Sequence, residues 1–233
     1  MAKKKFILFI VEGLTEEVAL YKALDNYLSI YQIKFEIVGG DILADYDTVP
    51  TNVLNKIGNL ITQVKRSNFL QDSDILKVVH LVDTDGVYID DGGISEDVEI
   101  EQYTYSSTDI TCCDKRMCTD RNQRKQRLLN KIYSKKKLSE CLYEVYFFSC
   151  NLDLVLYNIY NLSDSQKFIY AKSFEMNFKD DSNKFKNYMV NNRFSLGLKY
   201  YESWEFIKKD RNSLKRYSNF DIFINYVTEH NSK

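Results

Sequence analysis

The chain has 233 residues, 44% of them hydrophobic, enough for one large domain or a domain with an appendage, and too apolar for wholesale disorder. Its formal net charge of −1 gives no global attraction to nucleic acid, so any basic surface has to be local. One Pro and eight Gly exclude collagen-like or linker-rich organisation.

In chain order, Phe6 to Val11 is an unbroken apolar run ending at Glu12-Gly13, the pattern of a central buried strand and a tight turn. Gly13 reads as the residue supplying a positive backbone angle there, with Thr15 and Glu16 capping the helix that follows. That helix shows its i, i+3, i+4 stripe in Val18, Leu20, Tyr21, Leu24 and Leu28. Ile33 to Val38 predicts a second strand closed by Gly39-Gly40, and Thr51 to Val64 a second helix. Ile75 to Val82 predicts a third strand, running straight into Asp83-Thr84-Asp85-Gly86. This alternation predicts a parallel sheet flanked by helices. Beyond Gly86 the pattern loosens. Asp90-Asp91-Gly92-Gly93 is a loop, Val98 to Tyr105 alternates like a strand, and Thr119 to Tyr133 is helical with Asp120 near its start. Tyr143 to Ser149 is a further buried strand followed by a helix from Leu152 to Tyr160, and the remaining aromatic-rich segment reads as helical.

Acids follow three of these strands: Glu12 after the first, Asp83 and Asp85 after the third, and Asp153 beyond the strand at Tyr143. In an open α/β sheet, functional groups collect at the carboxyl ends of the strands. Side chains alternate along a strand, so Asp83 and Asp85 are expected to point the same way, where their charges repel unless a cation or donor neutralises them. Hard oxygen ligands of this kind suit Mg²⁺ or Mn²⁺ and a phosphate substrate.

The pair VEGLTEE, Val11 to Glu17, and VDTDG, Val82 to Gly86, resembles the two motifs of the Toprim domain, shared by topoisomerases, bacterial primases and nucleases of the overcoming-lysogenization-defect type. The resemblance implies divalent metal at Glu12, Asp83 and Asp85, and Glu16 matches the second acid of the nuclease branch. The segment FSCNLDLVLYN, Phe148 to Asn158, is similar to a later motif of RloB-like relatives, which adds Asn151 and Asp153 as outer members of the site. It implies a Toprim-like Rossmannoid core over residues 1–160 with an insertion at about 88–140. A mainly helical, aromatic-rich extension would follow at 161–233. The implied activity is Mg²⁺- or Mn²⁺-dependent cleavage of DNA or RNA, in relatives often directed against phage. The relatives pair with an ATPase; no phosphate-loop motif occurs here, so such an ATPase would be a partner protein. Lys167 and Arg193 are candidates for the cation that neutralises the transition state.

Residues 115–137 hold ten basic side chains: Lys115, Arg116, Arg121, Arg124, Lys125, Arg127, Lys131, Lys135, Lys136 and Lys137. On the predicted helix Arg124, Arg127 and Lys131 share a face at seven- and four-residue spacing, the expected phosphate-tracking grip on nucleic acid. The bland reading of such a run is a solvated face.

Five cysteines in an irregular pattern read as reduced thiols, and no stretch reaches the ~18 apolar residues of a membrane span. The expectation is a soluble, cytoplasmic protein, alone or as a homo-oligomer. His80, mid-strand, reads as a core residue; Asp41, Asp45 and Asp47 read as a solvated loop. Two other functions compete with the nuclease. One is a Toprim-like binding or regulatory module without turnover. The other is a haloacid-dehalogenase-type phosphatase, whose DxDxV pattern Asp83 to Val87 satisfies; that family carries it on its first strand, and VEGLTEE would go unexplained.

Overall fold

A computed structural model describes residues 5–37, 42–43 and 45–231. Five strands, β1 (Phe6–Val11), β2 (Gln32–Ile37), β3 (Ile75–Asp83), β7 (Lys137–Leu138) and β8 (Cys141–Phe148), form one sheet in the order β2-β1-β3-β8-β7. β2, β1, β3 and β8 run parallel, and the short β7 pairs antiparallel with β8. The first and third strands are neighbours, as expected.

β1 reads as an unbroken apolar run, and β3 and β8 as largely apolar ones, because helices cover both faces of the sheet. Ile7, Phe9 and Val11 of β1, Val79 and Leu81 of β3, and Tyr146 and Phe148 of β8 face one layer. That layer comprises α1 (Leu14–Tyr27), α5 (Asp164–Phe178), α6 (Ser182–Asn191) and α8 (Asp221–Asn231). The alternate residues Leu8, Ile10, Val78, Val82, Val145 and Phe147 face α2 (Val53–Ser67), α3 (Lys115–Ile132) and α7 (Tyr200–Ile207). The molecule is therefore an α/β protein with a mixed, largely parallel sheet between two helical layers. Most of the C-terminal aromatics serve as core: Phe174, Phe178, Phe185 and Trp204 are buried, whereas Phe168 and Tyr170 are exposed. His80 is buried and shares a 2.7 Å hydrogen bond with the Tyr143 hydroxyl.

Several expectations need correction. Val98 to Tyr105 does not form one strand; only Thr104–Tyr105 (β5) does, beside β4 (Ile94–Glu96) and β6 (Ile110–Cys112) in a small second sheet ordered β4-β6-β5. The alternation at Val98 is misleading because that side chain is exposed. α3 begins four residues before Thr119, since Asp114 caps it by accepting a hydrogen bond from the Met117 amide. The helix at Leu152 is a short α4 (Leu152–Tyr157), stopped where Asn158 turns left-handed. Gly13 is extended, φ −149°, and caps α1 without a side-chain hydrogen bond, so neither its positive angle nor a Thr15–Glu16 cap is observed. Asp45 bonds to Lys56, and Asp47 is exposed; Val38, Gly39, Gly40 and Asp41 lie outside the described residues.

All five cysteines are free, four of them buried. Among the described residues no helix is long and apolar enough to cross a membrane.

At the start of α8, Asp221 accepts a hydrogen bond from the Gly197 amide, while its second carboxylate oxygen is buried without a partner. Burial raises its carboxyl to about 6. In the unfolded chain it ionises near 4, so between these values the folded state holds the proton more tightly. Stability is therefore lost as pH rises from about 4 to about 6, by at most roughly 3 kcal/mol in all. Asp221→Asn is expected to raise stability at pH 7.5 by about 1–2 kcal/mol and to leave it unchanged at pH 4, measured by urea unfolding at both pH values.

Candidate functional site

β3 ends at Asp83, and the chain then leaves the sheet in a turn stitched to two distant segments. The Thr84 amide donates to the Phe148 carbonyl and the Asp85 amide to the Cys150 carbonyl. The buried Thr84 hydroxyl accepts from the Cys150 amide at 2.9 Å and donates to the Ser213 carbonyl at 3.0 Å. These bonds hold Asp85 in the left-handed region, φ 47°, and Gly86 at φ 66°. A Cβ on Gly86 would lie 2.4 Å from Leu214 Cδ2, so glycine is required there on both counts. Asp83 and Asp85 do open onto the same pocket, but strand alternation is not the reason, because Asp85 lies beyond the strand. The left-handed turn, a strained conformation for a residue with a side chain, aims it.

The pocket, about 370 Å³, lies at the carboxyl ends of β1, β3 and β8 and is lined by Glu12, Glu16, Asp83, Asp85 and Asp153, with Tyr105, Asn151 and Lys167. The sequence reading named all of these but Tyr105. Glu12 follows β1 and accepts a hydrogen bond from the Asp83 amide at 3.2 Å. Asp83 Oδ1 accepts from the Leu152 amide at 2.9 Å, tying the third strand to the first turn of α4. The Asn151 side-chain oxygen is occupied in capping α4 through the Leu154 amide.

Two cations from α3 close the back of the site. Lys125, 2% exposed, places Nζ 2.6 Å from Asp85 Oδ2 and 3.6 Å from Glu12 Oε1. Arg121 donates to the Asp85 carbonyl at 3.1 Å and to the Tyr105 hydroxyl at 3.0 Å, and its guanidinium lies 4.1 Å from the centre of the Tyr103 ring. The small sheet thus holds the residues that brace Arg121.

The carboxyls titrate apart. Burial, then the charges of Glu12, Glu16 and Asp85, push Asp83 well above the usual range, with Lys125 opposing. Burial would also raise Asp85, but Lys125 and Arg121 outweigh it and hold that carboxyl below its ordinary value. Asp153 is pushed up to about 6 by burial, with Lys167 opposing and Glu16 adding to the rise.

Arg124, Arg127 and Lys131, the expected grip, all lie on α3 but differ in exposure. Arg124 lies half-buried with its guanidinium 4.3 Å from the Tyr46 ring centre, whereas Arg127 and Lys131 are exposed and outside the pocket. Arg193 is exposed and also outside the pocket; Lys167 is the candidate cation that lines it. The sequence reading missed the site roles of Arg121 and Lys125, for which a signal existed. Cys118, Asn122, Lys125, Leu129 and Ile132 are all buried on α3, at spacings of four, three, four and three. A lysine in such a stripe needs an acid partner.

Comparison with protein-family models, with curated proteins and with solved structures finds no significant match for this chain.

Lys125 and Asp85 form a pair whose halves cannot be removed independently. Without metal, Lys125→Met is expected to cost about 3 kcal/mol by leaving a carboxylate unpaired. The double variant with Asp85→Asn is expected to return to within about 1 kcal/mol of the parent, because both charges are gone. A double-mutant cycle by urea unfolding in chelator reads both values.

Proposed function

We propose that the chain is a metal-dependent nuclease on a Toprim-like core, cleaving phosphodiester bonds of DNA or RNA. One observation carries the reading: acids from the carboxyl ends of three adjacent parallel strands line a single polar pocket. The VEGLTEE and VDTDG resemblance supports it, since those motifs supply the acids of the first and third strands.

The donor set suits a hard divalent cation. Its five carboxylates face Lys125, Arg121 and Lys167, which leaves two negative charges when all are ionised. As the side chains stand, no three of His, Cys, Asp and Glu among the described residues surround one point as a ready coordination sphere. Loading therefore requires side-chain movement. The residues that would hold Mg²⁺ or Mn²⁺ are drawn from Glu12, Asp83, Asp85, Glu16 and Asp153. A bound ion would supply an activated water and charge stabilisation at the scissile phosphate.

The remaining roles belong to the chain itself. Lys167 lines the pocket and would meet a phosphate oxygen, where a fixed cation stabilises developing charge. The Leu152 amide at the start of α4 keeps Asp83 in register with the pocket. Arg127 and Lys131, on the solvent side of α3, offer a sequence-independent contact for the backbone of a nucleic acid. No phosphate-loop motif lies in these 233 residues, and a partner ATPase belongs to this reading through the resemblance alone.

Asp83→Asn is expected to abolish Mg²⁺- or Mn²⁺-dependent cleavage while the far-UV circular dichroism is retained. The assay offers plasmid, single-stranded DNA and tRNA with each metal or with chelator. Undiminished cleavage by the folded variant would remove Asp83 from the reaction. Absence of cleavage by the parent on every substrate would favour a Toprim-like binding module instead. In a separate binding assay with metal present, Arg127→Gln with Lys131→Gln is expected to weaken nucleic-acid binding alike on all sequences. It should also flatten the dependence of log K on log salt by roughly two units. An unchanged slope would make this part of α3 a solvated face only.

A further inference from the structure

We infer that Lys125 is a tethered counter-ion that takes the place of one metal ion, so that the acidic pocket accepts a single divalent cation, from the Asp83 side. The inference rests on the metal-dependent reading above and specifies its stoichiometry.

Lys125 reaches the acids from a helix. It is carried by α3, outside the strand ends that supply the acids, and lies in the buried stripe of that helix between Asn122 and Leu129. At 2% exposure its side chain has no route to bulk water without leaving the protein interior. Its ammonium lies 2.6 Å from Asp85 and 3.6 Å from Glu12, so its charge already serves both of those carboxylates. The arrangement is braced. Arg121, one turn earlier on α3, donates to the backbone carbonyl of Asp85 and fixes the same residue from a second side. The Asp85 backbone is further held by its amide bond to the Cys150 carbonyl, 2.7 Å.

A buried ammonium paired at this distance is not readily exchanged for a hydrated divalent ion, because leaving would strand its charge in the core. The Glu12–Asp85 half of the pocket is thus already neutralised. The other half presents Asp83, Glu16 and Asp153, opposed by Lys167 at the wall. With Lys125 in place the pocket retains the charge that one divalent ion balances. Without it the deficit grows by one and the Glu12–Asp85 half becomes open to a second ion.

The test is a count of bound Mn²⁺ by isothermal titration calorimetry with electron paramagnetic resonance of the free ion, on purified protein without substrate. The expected result is one Mn²⁺ per chain for the parent, two for Lys125→Met, and none for Asp83→Asn. Circular dichroism of each protein at the end of the titration establishes that it is folded. Two ions on the parent would overturn the inference, and since the parent needs no substitution this outcome does not depend on any variant folding. With one ion on the parent, one ion or none on a folded Lys125→Met would overturn it as well. Binding to Lys125→Met but not to the parent would make the lysine a competitor that closes the site, which also overturns it. No binding to either protein would instead remove the metal-dependent reading from which the inference starts.

Discussion

Crowding of like charges at one edge of the sheet is the constraint around which this molecule is arranged. Parallel strands place their carboxyl ends together, and here those ends deliver acids to one pocket. Asp83 and Asp85 could not both be buried as ions without compensation, since isolated charges in a protein interior cost several kcal/mol. The chain meets this by unequal treatment. Asp85 receives Lys125 and Arg121, whereas Asp83 receives a backbone amide and the repulsion of its neighbours. Two aspartates one residue apart thereby acquire opposite proton affinities.

That solution explains the segment between β3 and β8, which otherwise looks like an irregular excursion. Its small sheet and the N-cap at Asp114 fix the start of α3, which sets the rotation at which Arg121 and Lys125 reach the turn. Tyr103 and Tyr105 hold the Arg121 guanidinium by ring contact and hydrogen bond. The helix is amphipathic in an unusual sense: its buried stripe is interrupted by Asn122, which bonds to Arg121, and by Lys125, which meets the acids.

The strands, their order around β1 and β3, and the acids at their ends were legible in the sequence because they rest on short-range patterns. Phe6 to Val11 is apolar throughout since both faces are covered, and Ile75 to Val82 is apolar apart from Lys77 and His80. What was not legible depends on contacts across long separations. The conformation of Asp85 is set by Cys150 and, through Thr84, by Ser213, and no local pattern announces either. Charge counting in residues 115–137 could see a basic run but not which side of the helix would be buried. There the more exposed members drew the functional reading, although the burial spacing already singled out Lys125. The Gly13 assignment failed for a related reason: a glycine after a strand suggests a left-handed turn, but here the chain passes into α1 extended.

The bond from the Thr84 hydroxyl to the Ser213 carbonyl spans 129 positions of sequence. Every acid of the pocket and both α3 cations precede that carbonyl, yet the turn that orients Asp85 lacks one of its supports until the chain from Ser213 to Ser218 has docked. That late segment also supplies the Tyr217 carbonyl to the Ser149 amide and the Ser213 carbonyl to the Cys150 amide. During synthesis from the N-terminus, the chemistry-bearing residues therefore emerge well before the geometry that arms them. Loops of this length close slowly relative to local helix formation. A nascent chain stalled short of Ser213 thus carries the full set of charged groups without the turn that aligns them.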